Sequence, residues 1–159
     1  MHDYVVTLDQ IDRTMTADVG GKAANLGELL RIDGVVVPRG FCITTAAFRR
    51  DDPRVPDDVA ADIVAALADL GPGPFAVRSS ATAEDLPEAS FAGQHDSELA
   101  VDGPDAVLDA VGRCWASLDN DRAVAYRRRH GIADESVRMA VVVQWMADSA
   151  ASGVMFTAD

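Results

Sequence analysis

Residues 75–94 read FAVRSSATAEDLPEASFAGQ, and the rest of the chain is organised around them. Phe75-Ala76-Val77 is a short apolar run of the kind that forms a buried strand. Arg78 follows at the end of that run. Sixteen residues dominated by Ser, Ala, Thr and Gly come next, with apolar bulk only at Leu86 and Phe91. Such a loop contributes little to a core, and loops of this length inside compact domains are usually functional or disordered. Small side chains let a ligand approach the backbone, and successive N–H groups can cradle an anion. An Arg at the mouth adds planar, permanently charged donors that match phosphate oxygens. The residues alone leave two readings open: a phosphate-binding loop, or a surface loop with a structural Arg.

Upstream, Tyr4–Leu8 reads as an opening strand. Asp18-Val19-Gly20-Gly21 then leads into a helix that starts at or near Lys22 and carries Ala23, Leu26, Leu29 and Leu30 on one face. Of the 14 basic residues 13 are Arg, and the single lysine is Lys22. Free N–H groups at a helix start favour an anion, and the dipole gives a cation no reason to stand there. That local misfit marks a functional position; the competing reading is an exposed lysine without a role. The spacing is not a Walker A loop, which would need Gly at 16 and Ser or Thr at 23, where the chain has Thr16 and Ala23.

Residues 35–43, VVVPRGFCI, read as two short extended pieces around a Pro/Gly turn. Thr44 or Thr45 is placed to cap a short helix through Arg49, and Arg39 is read as a turn residue. A proline-broken connection, 51–56, precedes a helix with Asp57 and Asp58 at its start and Val59, Ile63, Val64, Leu67 and Leu70 on its buried face. Gly71-Pro72-Gly73-Pro74 ends that helix.

Downstream of the loop, Ser97–Val101 reads as a strand. Pro104 opens an amphipathic helix bearing Val107, Leu108, Val111, Cys114, Trp115 and Leu118. Trp115 on that stripe is read as core rather than as a stacking platform for a base. A further helix from Asp121 ends in Arg127-Arg128-Arg129, a cation cluster favourable at a helix C-terminus in its own right. Residues 139–146 form a Val-rich strand, and with 152–157 they read as a hairpin. Gln144 is the polar residue in that strand. A strand end that offers amide and backbone bonds to a purine is physically sensible; an ordinary edge-strand glutamine is the alternative.

Three stretches carry a resemblance. AVRSSATAEDLP with ASFAGQ, and GGKAANLGEL with VPRGFCIT, resemble the ATP-binding domain of phosphoenolpyruvate synthases, pyruvate phosphate dikinases and rifamycin phosphotransferases. CWASL…DRAVAYRRRHGI is most similar to the rifamycin phosphotransferase branch, and the likeness covers nearly the full length. It implies an α+β fold: the first lobe of an ATP-grasp-like nucleotide-binding domain, a mixed sheet flanked by helices, with residues 1–159 as a single domain. It further implies that Lys22, Arg78 and Gly93 contact ATP phosphates, while Gln144 and the backbone at Met146 meet the adenine. Mg²⁺ would be held by carboxylates of a second lobe, and the phosphorylated histidine belongs to a separate domain; neither lies within these residues. Relatives carry a longer helical stretch between the counterparts of Phe48 and Phe75.

The reaction so implied converts ATP to AMP, phosphate and a phosphorylated acceptor such as pyruvate or a rifamycin, with this piece silent on its own. The other function class is a stand-alone nucleotide-binding or interaction module, completed by a second lobe or a separate chain. A remnant that binds nothing is a third. Surface left apolar where the second lobe docks would favour self-association.

Composition sets the outer limits. A chain of 159 residues can bury about 70% of its unfolded surface in one core. The net charge of −12 argues against nucleic-acid and anionic-membrane partners, which call for a basic face. No run is apolar for long enough to span a bilayer, and MHDYVVTLDQ lacks a secretory pattern, so the cytoplasm is the expected compartment. Cys42 and Cys114 stand apart in apolar surroundings and read as core rather than metal ligands. His95 stands close to Gly93 where the family it resembles often carries Gln, and the resemblance leaves room there for a neutral contact to nucleotide.

Overall fold

The computed structural model describes residues 4–52, 54–82, 85–86, 89–90 and 97–148. In chain order the regular elements are β1 (Val5–Thr7), α1 (Thr16–Leu29), β2 (Gly40–Ile43), α2 (Asp57–Leu70), β3 (Phe75–Ala81), β4 (Asp85–Leu86), β5 (Ala89–Ser90), β6 (Ser97–Val101), α3 (Pro104–Ala116), α4 (Asp121–Arg129) and β7 (Met139–Trp145). Five strands form one sheet in the order β1-β2-β7-β3-β6, and β4 pairs with β5 in a separate ribbon. The α+β class is the one expected. Each described pairing within the sheet is antiparallel, and β7, far from its neighbours in sequence, is inserted between β2 and β3.

Alternation along the strands decides what each face of the sheet meets. Phe41 and Ile43, Phe75, Val77 and Ala81, and Met139, Val141 and Val143 point to one face. They bury against Val59, Ile63 and Leu67 of α2 and Val107, Val111, Cys114 and Trp115 of α3. Cys42, Ala140 and Val142 point to the other, where they meet Val19, Ala23 and Ala24 of α1 together with Leu8 and Ile11. Both cysteines are free and buried, as their surroundings suggested, and burial pushes the Cys42 thiol well above its ordinary range. Trp115 is core.

The helix ends follow local chemistry. Asp57 and Asp58 occupy the first turn of α2, where the dipole favours acids. Gly71, at φ +95°, closes that helix through its N–H to the Leu67 carbonyl at 3.0 Å. Val64, expected on the buried face of α2, is 40% exposed. The Asn120 side chain accepts the Ala123 N–H at 2.8 Å and starts α4. Arg127 at its far end is fully buried. Its guanidinium donates to Asp119, Asp134 and the Leu118 carbonyl, so this member of the cation cluster is structural.

Four expectations are corrected. β3 runs to Ala81, so Arg78, Ser79 and Ser80 lie inside a central strand and not at the start of the loop. Small residues suit this place because helices press on both faces of the strand. Helix α1 begins at Thr16, six residues before Lys22, and breaks at Gly20 (φ +74°, ψ 169°). Residues 44–49 make a turn instead of a helix, and 35–39 add no strand. The reason lies with Thr45: its N–H donates to the Asp18 carbonyl at 2.7 Å and its hydroxyl to the Ala17 carbonyl at 3.2 Å. The break at Gly20 strips those carbonyls of helical partners, and Thr45 replaces them. The second strand of the 139–157 hairpin lies outside the described residues.

Candidate functional site

The segment around Gly20 is built by close approach. A Cβ on Gly20 would lie within the van der Waals radius of the Ser80 carbonyl, and the φ/ψ pair falls in a region essentially confined to glycine. Glycine therefore lets α1 touch the backbone of β3. Ser80, fully buried, donates its hydroxyl to the Val19 carbonyl at 2.8 Å and accepts the Ala23 N–H at 3.1 Å. Cys42 Sγ also approaches the Val19 carbonyl, at 3.6 Å.

Lys22 stands two residues past the break, in the first turn of the helical segment that follows. Its ammonium donates to the Ser79 carbonyl of β3. Arg78 is the next residue back on that strand, and its cross-strand neighbours are Val142 on β7 and Ser97 on β6. Arg78 and Ser80 share a face by alternation, and Ser80 is the residue that meets α1. The structure thus brings Lys22 and Arg78, 56 positions apart in sequence (78 − 22), to one face of one strand. Both are half-buried. Ser97, exposed and directly opposite Arg78, adds a hydroxyl on that face. Sequence reasoning passed over Ser97 as an ordinary strand residue; only the register reveals it.

Gln144 lies on this face too, paired with Gly40 on one side and Ala76 on the other. It is 5% exposed, and its amide nitrogen donates to the Pro38 carbonyl at 2.8 Å. Gly40 is required here, because a Cβ would run into Val143 and Gln144. Met146 follows β7 directly, half-buried, with its N–H on the Pro74 carbonyl at 3.1 Å. Arg39, the expected turn residue, lies 5.5 Å above the Trp145 ring. Gly93 and His95 lie outside the described residues. Among the described residues no three His, Cys, Asp or Glu side chains gather as metal ligands, and no helix is long and apolar enough to cross a membrane.

The arrangement has a cationic end, with an ammonium and a guanidinium over small buried residues, and a second end at the terminus of β7. Comparison with known proteins identifies the family of the chain. The family model described as "Pyruvate phosphate dikinase, AMP/ATP-binding domain" matches residues 16–52 and 51–159. A rifampicin phosphotransferase of Streptomyces sviceus is 50% identical over 194 residues, covering 98% of this chain and 22% of the relative. One of Bacillus subtilis is 39% identical over 197 residues, covering all of this chain and 23% of the relative. A probable phosphoenolpyruvate synthase of Staphylothermus marinus is 39% identical over 199 residues, covering 97% and 24%. The chain spans under a quarter of the length of these relatives.

The Bacillus alignment leaves about 38 positions of the relative (197 − 159) without a counterpart here. The two family-model matches meet at Asp51 and Asp52, between β2 and α2, in the interval where a shorter helical stretch was expected. Arg50 stands at that junction, with its guanidinium donating to Asp119 at 2.5 Å and to the Asp134 and Val137 carbonyls at 2.7 and 2.9 Å. The shortened connection is therefore tied to the α4 side of the fold, and the strands that carry Lys22's partner Ser79, Arg78 and Gln144 are complete. With a family match over most of its length and relatives this similar, the chain belongs to the pyruvate phosphate dikinase AMP/ATP-binding domain family.

Proposed function

We propose that these 159 residues are one lobe of the ATP-binding portion of a dikinase-type phosphotransferase. The parent reaction turns ATP into AMP, phosphate and a phosphorylated acceptor. The observation that carries the reading is the Lys22 ammonium seated on the Ser79 carbonyl beside Arg78, on the face of the sheet that also bears Gln144. Phosphoryl transfer depends mainly on positioning and charge neutralisation. In this reading Lys22 and Arg78 take phosphate oxygens, Ser97 adds a hydroxyl, and Gly93 adds backbone donors.

At the other end the purine lies against the terminus of β7. One N–H of the Gln144 side-chain amide and the backbone N–H of Met146 are engaged by proline carbonyls, and in this reading the Gln144 amide oxygen and the Met146 carbonyl face the base as acceptors. Acceptors fit the exocyclic amine of adenine and reject the 6-oxo group of guanine. Mg²⁺ neutralises phosphate charge in this chemistry through oxygen ligands, and in this reading those ligands come from a second lobe, so the isolated piece turns over nothing. Two Streptomyces rifampicin phosphotransferases at 50% and 48% identity stand above the phosphoenolpyruvate synthases at 36–39%, with two of Bacillus level with the latter at 39% and 38%, and the Streptomyces values favour a rifamycin as the acceptor of the parent enzyme.

Calorimetry with ATP and Mg²⁺ tests the site. The wild type is expected to give a binding isotherm, weakened about tenfold or more in Lys22→Ala and in Arg78→Ala, as befits a lost charge-assisted bond. No heat from the wild type would remove nucleotide binding by this lobe. Equal heat from all three proteins would remove the residue assignment alone.

A further inference from the structure

We propose that Ser80 is a positioning residue for the nucleotide phosphates: it holds the turn bearing Lys22 at a fixed distance from Arg78. The inference rests on the reading of Lys22 and Arg78 as phosphate ligands, and adds a residue that touches neither nucleotide nor metal. The geometry behind it is specific. Gly20 is the last residue before the second helical segment of α1 and occupies the N-cap place, where a side-chain oxygen normally accepts the N–H three residues on. Glycine has no such oxygen. The N–H three residues on belongs to Ala23, and Ser80 Oγ accepts it from across the interface.

The same hydroxyl donates to Val19, the last carbonyl before the break. One buried side chain therefore bonds both sides of Gly20 and closes the gap that the backbone cannot close for itself. Ser80 is two residues along β3 from Arg78, roughly 6.6 Å at the rise of a strand, and Lys22 sits between the two backbone groups that Ser80 holds. A further bond from α1 to this strand, Lys22 to the Ser79 carbonyl, depends on that turn keeping its place. Losing the hydroxyl would leave a buried carbonyl and a buried N–H without this partner, and the turn would relax away from Arg78. The ammonium moves with it.

Lys22, as the single lysine of the chain, is its own reporter. Protein labelled with ¹³C-lysine gives one side-chain Cε resonance. In Ser80→Ala that resonance is expected to shift toward the position of free lysine. ATP and inorganic tripolyphosphate are expected to bind about tenfold more weakly, the loss typical of one hydrogen bond to a charged group, with adenosine affinity unchanged. Ser80→Cys, whose thiol is a weaker partner, is expected to fall between and serves if the alanine variant does not fold. Ser117→Ala, which removes another buried hydroxyl, one that donates to the Cys114 carbonyl, controls for lost stability and should leave the resonance and all affinities as in the wild type.

An unshifted lysine resonance in Ser80→Ala overturns the proposal, as does an equal loss of ATP and adenosine affinity. A wild type that binds neither ATP nor tripolyphosphate would instead overturn the nucleotide reading, and the lysine resonance would still decide whether Ser80 holds Lys22.

Discussion

The two faces of the five-stranded sheet are made from the same strands and could hardly differ more. On one face Phe41, Phe75, Val77, Met139 and Val143 meet α2 and α3 with Trp115 among them, a large-sided core. The other face has Cys42, Ala76, Ala140, Val142 and Ser80 under a single helix, with Arg78 and Gln144 in the same alternating set. Bulk on one side lets the strands hold their shape, and small side chains on the other let α1 descend until Lys22 reaches the strand backbone. The large-sided core and the candidate site are thus divided between odd and even positions of β3 and β7. A change on one face should be felt there first.

Trp115→Ala gives the largest expected effect: a loss of about 3–5 kcal/mol of stability, the cost of a cavity from a fully buried aromatic, read by urea unfolding. ATP affinity of the folded fraction should stay within twofold of the wild type; a large drop would mean that the two faces are coupled. Gly20→Ala should break the division from the other side. A methyl forced against the Ser80 carbonyl in a glycine-only conformation is expected to cost about 3 kcal/mol, and the same variant should lose ATP binding. Stability lost with full ATP affinity retained would place the phosphate site elsewhere.

The smallest effect is acid-dependent and belongs to the packed side. The Arg127 guanidinium bonded to Asp134 holds that carboxyl below its ordinary value of 3.8. Its contribution to folding is therefore present above that value and lost as the pH falls through the lower folded one. Asp134→Asn should be less stable than the wild type at neutral pH, with the gap narrowing below about pH 4, where the wild-type carboxyl takes up its proton. A constant gap in unfolding scans from pH 7 to 3 would show that the buried arginine relies on its other partners.

Much of the packed face was legible in the sequence, because large apolar residues at helical or alternating spacing have one sensible destination. Helices α2, α3 and α4 and strand β7 lie where their periodicity put them. The functional face was legible only in its residue types. Lys22 stood out as the lone lysine, and Arg78 as a charge at the end of an apolar run. Ser79-Ser80-Ala81 was misread as loop, since small residues carry no periodic signal and become strand only when helices press on both sides. The helix start was placed at Lys22 because Gly20-Gly21 resembles a boundary; the boundary is internal, bridged by Ser80 and Thr45 from distant parts of the chain. Long-range partners of that kind leave no local trace. Ser97 was missed for the same reason.

Strand order has a consequence for how such a molecule comes into being. β2 lies between β1 and β7, and β7 also joins it to β3, so the N-terminal ribbon has no seat until the chain has been made past Trp145. Two-stranded ribbons are marginal alone, and pairings this distant in sequence form slowly. Nascent chains that pause before residue 139 would lack the strand on which α1, α2 and α3 converge. The sheet then closes late, when β7 slots into its middle.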